Sequence, residues 1–183
     1  MDGQALMTMV KGVVEDSLSK MSGVLPSSDP ESKASDIVDY EGRMRAVGTE
    51  KFNAPSYVSV VSFYLNKGDM ERHKAKGAMV LYMDAESSSK LFKFMGFSFS
   101  DDEDDASMMN ACGEYCTQLA DAFKKELVKS GHADLVMSSA DNYKNSVLAG
   151  VPYSTDQKKK YELLFSYWKR KVVAVEVTLG GIH

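Results

Sequence analysis

The stretch from Ala106 to about Ser130 constrains the fold most. Placed at roughly 100° per residue, Met109, Cys112, Cys116, Leu119, Ala120, Phe123 and Leu127 fall on one stripe of a helix. Glu114, Thr117, Gln118, Asp121 and Lys125 fall on the opposite side. A helix this long with one apolar side needs a second layer to cover that stripe. Its charge order also fits a helix: the acidic run Asp101 to Asp105 precedes it, Lys124, Lys125 and Lys129 sit near its end, and Gly131 closes it. Acids at the N-terminus and cations at the C-terminus both complement the helix dipole.

Strands supply the covering layer. Ser56 to Leu65 and Gly77 to Met83 are rich in β-branched, aromatic and other apolar residues, and Asn66 to Asp69 between them offers turn chemistry. With Asp36 to Val47 as a mixed, alternating segment, the spacing predicts an antiparallel meander of three strands. Ala133 to Ser138, Lys160 to Trp168 and Lys171 to Leu179 read as three more, the last two joined by a tight turn at Lys169 and Arg170. Ala5 to Met21 has three-and-four apolar spacing and reads as an opening amphipathic helix. Ser22 to Ser35 reads as a loop, and Asp84 to Met95 as a short helix with Asp84 or Ser87 as N-cap and Leu91, Phe92 and Met95 inward. The order is helix, three strands, helix, helix, three strands. A helix followed by three strands thus occurs twice, which points to a pseudo-symmetric α+β fold of antiparallel strands packed with long helices, in a single domain over 1–183.

Composition narrows the function classes. The 22 Lys+Arg against 26 Asp+Glu give a formal charge of −4, so no global basic field attracts nucleic acid or anionic lipid. The longest apolar runs, such as Val172 to Val175, fall far short of the roughly 20 residues that a membrane helix needs. An N-terminus beginning Met1, Asp2, Gly3, Gln4 lacks the basic-then-apolar layout of a secretory signal, so a cytoplasmic location without nucleic-acid or membrane partners is expected. Cys112 and Cys116, four apart on the core stripe, read as buried thiols rather than a disulfide or a metal pair.

On the outer face of the long helix, Glu114 stacks beneath Thr117 and Gln118 by the i,i+3 and i,i+4 relations. A carboxylate, a hydroxyl and an amide therefore project together from one rigid surface. That arrangement suits either a solvated face, with an Asp121–Lys125 pair, or a docking and catalytic surface.

The sequence Gly113-Glu114-Tyr115-Cys116-Thr117-Gln118-Leu119-Ala120-Asp121, then Leu135-Val136-Met137-Ser138-Ser139 and Leu148-Ala149-Gly150, resembles the CheC/CheX family of chemotaxis phosphatases, its CheX-type members most closely. In that family a Gly-Glu-x-x-Asn motif opens a long helix, and a strand, a turn and a glycine follow. Lys76 to Gly96, a strand leading into a helix that ends in Met-Gly, extends the likeness. The resemblance implies a CheC/CheX-like fold and hydrolysis of the aspartyl phosphate on a phosphorylated response-regulator receiver domain. It implies no cofactor of the chain's own, because Mg²⁺ would come with the receiver. The motif glutamate, which engages the receiver's active-site lysine, falls on Glu114. The asparagine that positions water falls on Thr117, where the motif is broken; Gln118 offers an amide along a vector about 100° away. Glu114, Thr117 and Gln118 are thus the catalytic candidates, and Glu114, Gln118 and Asp121 the partner-binding ones. Weak phosphatase activity, an altered geometry, or a non-catalytic interaction module that dimerises through a strand edge all remain open. The first helix offers no second site, since Glu15 is followed three residues later by Leu18.

Other chemistry has little support. His73, His132 and His183 are scattered, and the acids Asp101 to Asp105 lack the glycine and terminal glutamate of an EF-hand loop, so they read as capping and solvation. Met108 and Met109 read as packing, and Lys158 to Lys160 as a solvated basic turn.

Overall fold

The computed structural model describes residues 1–98, 104–145 and 147–182. The chain forms α1 (Gly3–Ser22), β1 (Glu31–Asp36), β2 (Asp39–Tyr40), β3 (Arg43–Val47), α2 (Thr49–Phe52), β4 (Ser56–Tyr64), α3 (Lys67–Glu71), β5 (Gly77–Asp84) and α4 (Ser88–Phe94). It continues with α5 (Asp105–Lys129), β6 (Val136–Met137), β7 (Asp141–Lys144), β8 (Val147–Pro152), β9 (Lys159–Tyr167) and β10 (Arg170–Leu179). A large antiparallel sheet runs β1-β9-β10-β5-β4-β6, with β7 also pairing with β4; a small sheet runs β2-β3-β8.

Three layers result. On one face of the large sheet, Leu6, Val10, Val14 and Leu18 of α1, Leu91 and Phe92 of α4, and the α5 stripe pack onto Val61, Phe63, Met79, Leu81, Phe165 and Val175. On the other face, Val58, Val60, Ala78, Val80, Leu164 and Ala174 meet Met44 and Ala46 of β3 and Val151 of β8. Strands β4 and β5 are buried along their whole length because both faces are covered. That explains why their sequences are rich in apolar residues on both faces, with the small Ser56, Ser59 and Ser62 interspersed in β4, rather than alternating apolar and polar.

The doubled order of elements is real but richer than the sequence suggests: each half is a long helix followed by five strands. The halves exchange partners. β1 of the first pairs with β9 of the second, β6 of the second pairs with β4 of the first, and β3–β8 and β5–β10 join like with like.

Several local expectations need correction. The expected loop Ser22 to Ser35 contains most of β1, a polar edge strand recruited by the β9 backbone ladder, so no apolar pattern marks it. The expected strand Asp36 to Val47 is broken at Glu41 and Gly42, both at positive φ, which fold β2 onto β3. This hairpin lies in the small sheet, so the three-stranded meander reduces to the β4–β5 pair, whose connection contains α3. Asp84 ends β5 instead of capping a helix; Ser87 precedes α4 without a side-chain cap bond. The strand expected over Ala133 to Ser138 shrinks to β6, and β7 and β8, short and broken by polar residues and Gly150, were not expected. The final hairpin turns at Trp168 and Lys169, both at positive φ, one residue earlier than expected.

Lys160 is not part of a solvated turn. Its ammonium lies 3.0 Å from Glu176, which is 1% exposed on the small-sheet side of β10. Lys51 of α2 reaches the same carboxylate at 3.2 Å and also bonds Glu162, and the Tyr82 hydroxyl donates to Glu176 at 3.2 Å. Burial pulls the Lys51 pKa down, but Glu176 and Glu162 outweigh it and hold the ammonium above its ordinary value. No described helix is long and apolar enough to cross a membrane. Glu176→Ala, which strips Lys160 of its carboxylate and leaves Lys51 with Glu162 alone, is expected to cost about 3 kcal/mol in urea unfolding. Removal of the exposed Lys171–Glu31 pair by Lys171→Ala should cost under about 1 kcal/mol; equal costs would contradict this account of the cluster.

Candidate functional site

Helix α5 is pinned at its start. Asp104 accepts from the Ser107 amide at 2.6 Å, which satisfies an N-terminal donor. Asp105 accepts from Lys144 Nζ at 2.6 Å and from the Tyr57 hydroxyl at 2.8 Å, so the helix is tied to β7 and β4 at once. These two bonds, Lys144 first, hold the Asp105 carboxyl below its ordinary pKa. The remaining acids of that run, Asp101, Asp102 and Glu103, lie outside the described residues, as does His183.

Further along, the helix lies on β4. The Cys116 thiol donates to the Ser59 carbonyl at 3.6 Å, and the Phe63 and Phe123 rings meet at 5.7 Å between centroids. Cys112 and Cys116 are fully buried free thiols, as expected of core residues. Burial pushes Cys112 up to about 12, from an ordinary 9.0, and raises Cys116 as well, so neither forms a reactive thiolate at neutral pH.

The core stripe is as expected except at its edges: Met109 is only half-buried, while Met108, Ala111 and Tyr115 are fully in the core. The opposite face carries the candidate residues together. Glu114 and Gln118 are exposed, and Thr117 and Asp121 are half-buried. Asp121 pairs with Lys125 at 2.6 Å, whereas Glu114 has no ion-pair partner among the described residues. The Thr117 hydroxyl donates to the Gly113 carbonyl at 2.9 Å, so its only proton is committed to the helix backbone and only its lone pairs remain free. Gln118 points away from Thr117, one residue round the helix. The side chains stand on an outer helix surface and not inside a closed cavity, a disposition suited to a macromolecular partner.

Gly113 has a clear spatial reason. The Asn142 carboxamide of β7 occupies the volume that a Cβ at Gly113 would need. Asn142 is in turn held by the buried Ser59, whose hydroxyl donates to its Oδ1 at 2.7 Å. Sequence reasoning missed Asn142 because β7 carries no strand signature; a glycine in mid-helix was the one available cue that another chain segment approaches closely.

Helix α1 has no matching site: Glu15 faces Lys11 at 3.8 Å, and Leu18 is buried. His73 sits at positive φ beside α3, and His132 lies against the Ile182 carbonyl at 3.3 Å, so the two do not meet. No group of three or more metal-ligating side chains occurs among the described residues.

A CheC-like superfamily protein from Shewanella sp. PV-4 superposes with a TM-score of 0.62 at 14% identity, covering 97% of this chain and 99% of that one. The chain has the CheC/CheX fold. A chemotaxis protein CheX from Desulfovibrio desulfuricans gives a TM-score of 0.59 at 16% identity, over 94% of this chain and 97% of that one. CheX in a complex with CheY, BeF3 and Mg from Borrelia burgdorferi gives 0.56 at 13% identity, over 96% and 97%. No protein-family model and no curated relative matches the sequence. The expected α+β, pseudo-symmetric CheC/CheX-like architecture is therefore the observed one, and it places the exposed face of α5 on the long helix of the second half.

Both cysteines should resist a thiol reagent at pH 8 in the folded protein and react fully in urea. Rapid modification of either in the native state would contradict their placement beneath α5.

Proposed function

We propose that this protein binds a phosphorylated response-regulator receiver domain through the outer face of α5 and promotes hydrolysis of its aspartyl phosphate. The observation that carries this reading is the joint projection of Glu114, Thr117, Gln118 and Asp121 from one rigid face of α5. Support comes from the CheC/CheX fold and from a CheX of that fold having been solved with CheY, BeF3 and Mg. Glu114 is exposed and without an ion-pair partner among the described residues, which supports its pairing with a cation on the receiver. Gln118 and Asp121 extend the contact along the next turn. The chain needs no cofactor in this reading, because Mg²⁺ travels with the receiver's phosphoryl group. Acyl phosphate hydrolysis asks mainly for an oriented, in-line water and managed charge, which a helix face can supply without a strong base.

A second reading has one observation behind it. The Thr117 hydroxyl is spent on the Gly113 carbonyl, so a surface that docks the receiver without turning it over is consistent with the helix alone. In that case the protein is an interaction module, dimeric through the exposed outer edge at β1.

Phosphate loss from receiver domains encoded in the same genome, measured with and without the protein, separates the two. The phosphatase reading expects faster loss, cut about a hundredfold by Glu114→Ala. Binding that persists with no acceleration, together with turnover appearing only in Thr117→Asn, supports the interaction module and contradicts the phosphatase reading.

A further inference from the structure

We propose that the carboxamide that orients the hydrolytic water comes from Asn142 on β7, packed against α5 at Gly113, instead of from the helix position occupied by Thr117. The inference rests on the phosphatase reading and assigns the group which that reading leaves missing.

Three observations meet at this point. The first is space: the Asn142 side chain fills the volume vacated by the absent Cβ of Gly113, so its amide lies directly against α5, one turn before Thr117 on the same flank. The second is orientation. Ser59, 0% exposed, donates its hydroxyl to Asn142 Oδ1 at 2.7 Å, which fixes which end of the amide is oxygen and turns the nitrogen away from Ser59. The third is unspent capacity. Asn142 is only partly buried, and its Nδ2 has no hydrogen-bond partner among the described residues, so two N–H donors are available against Gly113. Oδ1 also keeps a second lone pair. By contrast, Thr117 has already used its one proton.

A mere space-filler would not need this arrangement. An apolar side chain could occupy the notch at Gly113 without a buried serine to aim it. A carboxamide held by Ser59, with β7 locked to α5 through Lys144 and Asp105, is instead a preorganised polar group at the helix surface. In the step it serves, the water oxygen bonds to phosphorus as the bond from phosphorus to the aspartyl oxygen breaks. The carboxylate leaves with the bonding pair, and both water protons end on the released phosphate. Asn142 Oδ1 accepts one water proton's hydrogen bond and Nδ2 donates to a phosphoryl oxygen, while Ser59 and Gly113 act as positioning residues.

The test is steady-state dephosphorylation of a phosphorylated receiver domain by the intact chain, with kcat and KM resolved separately. Asn142→Asp keeps the shape and the Ser59 bond but removes both N–H donors. It should lower kcat about a hundredfold with KM changed less than about threefold. Adding Thr117→Asn in that background, which restores a carboxamide on the same flank, should recover at least about tenfold in kcat. Urea unfolding confirms that each variant is folded. An Asn142→Asp protein that turns over like the wild type overturns the assignment and leaves the phosphatase reading standing, as does a kcat loss that Thr117→Asn fails to recover. A wild-type chain that accelerates no receiver overturns both.

Discussion

The antiparallel pairing of β5 with β10 is the contact on which the rest of the architecture depends. It runs from Gly77 opposite Leu179 to Met83 opposite Val173 and joins the two halves of the chain at the centre of the large sheet. Once those strands are central, both of their faces must be covered, and the sequence provides a different cover for each. The long helices take the side of Met79, Leu81, Val173 and Val175, and the small sheet takes the side of Ala78, Val80 and Ala174. The partner exchange of β1 and β6 follows, since each edge strand completes the other half's hairpin. Even the polar cluster around Glu176 belongs to this arrangement, because a charge carried into the centre of β10 must find Lys51, Lys160 and Tyr82 there.

What could be read in the sequence tracks how local its cause is. The stripe on α5, the buried thiols and the apolar runs of β4 and β5 are set by a residue's own spacing and hydrophobicity, and they are visible without the structure. β1 is held by a backbone ladder to a strand more than a hundred residues away, and its side chains carry no matching pattern. The β2–β3 hairpin depends on Glu41 accepting positive φ ahead of Gly42, a choice that composition does not announce. Lys160 looks like a surface cation beside Lys158 and Lys159 until the burial of Glu176 across the ladder is known.

The same distinction holds at the site. Glu114, Thr117, Gln118 and Asp121 are related by helix geometry alone, so their shared face was legible. Asn142 reaches α5 at Gly113 through tertiary structure: β7 must pair with β4 to bring it beside Ser59, and Gly113 must lack a side chain to admit it. The departure at Thr117 from the motif that the sequence resembles is thus a local statement about one helix position. The chemistry available at the surface depends on what the neighbouring strand presents there.

The proposed activity requires that a receiver dock on the outer face of α5. Amide chemical-shift mapping of the isotopically labelled chain, titrated with a beryllofluoride-loaded receiver domain, addresses that directly. Shifts concentrated on Glu114, Thr117, Gln118 and Asp121, with Asn142 of β7 among them, are the predicted result. Binding that leaves these residues unperturbed and maps to the β1 edge or the small sheet would contradict it.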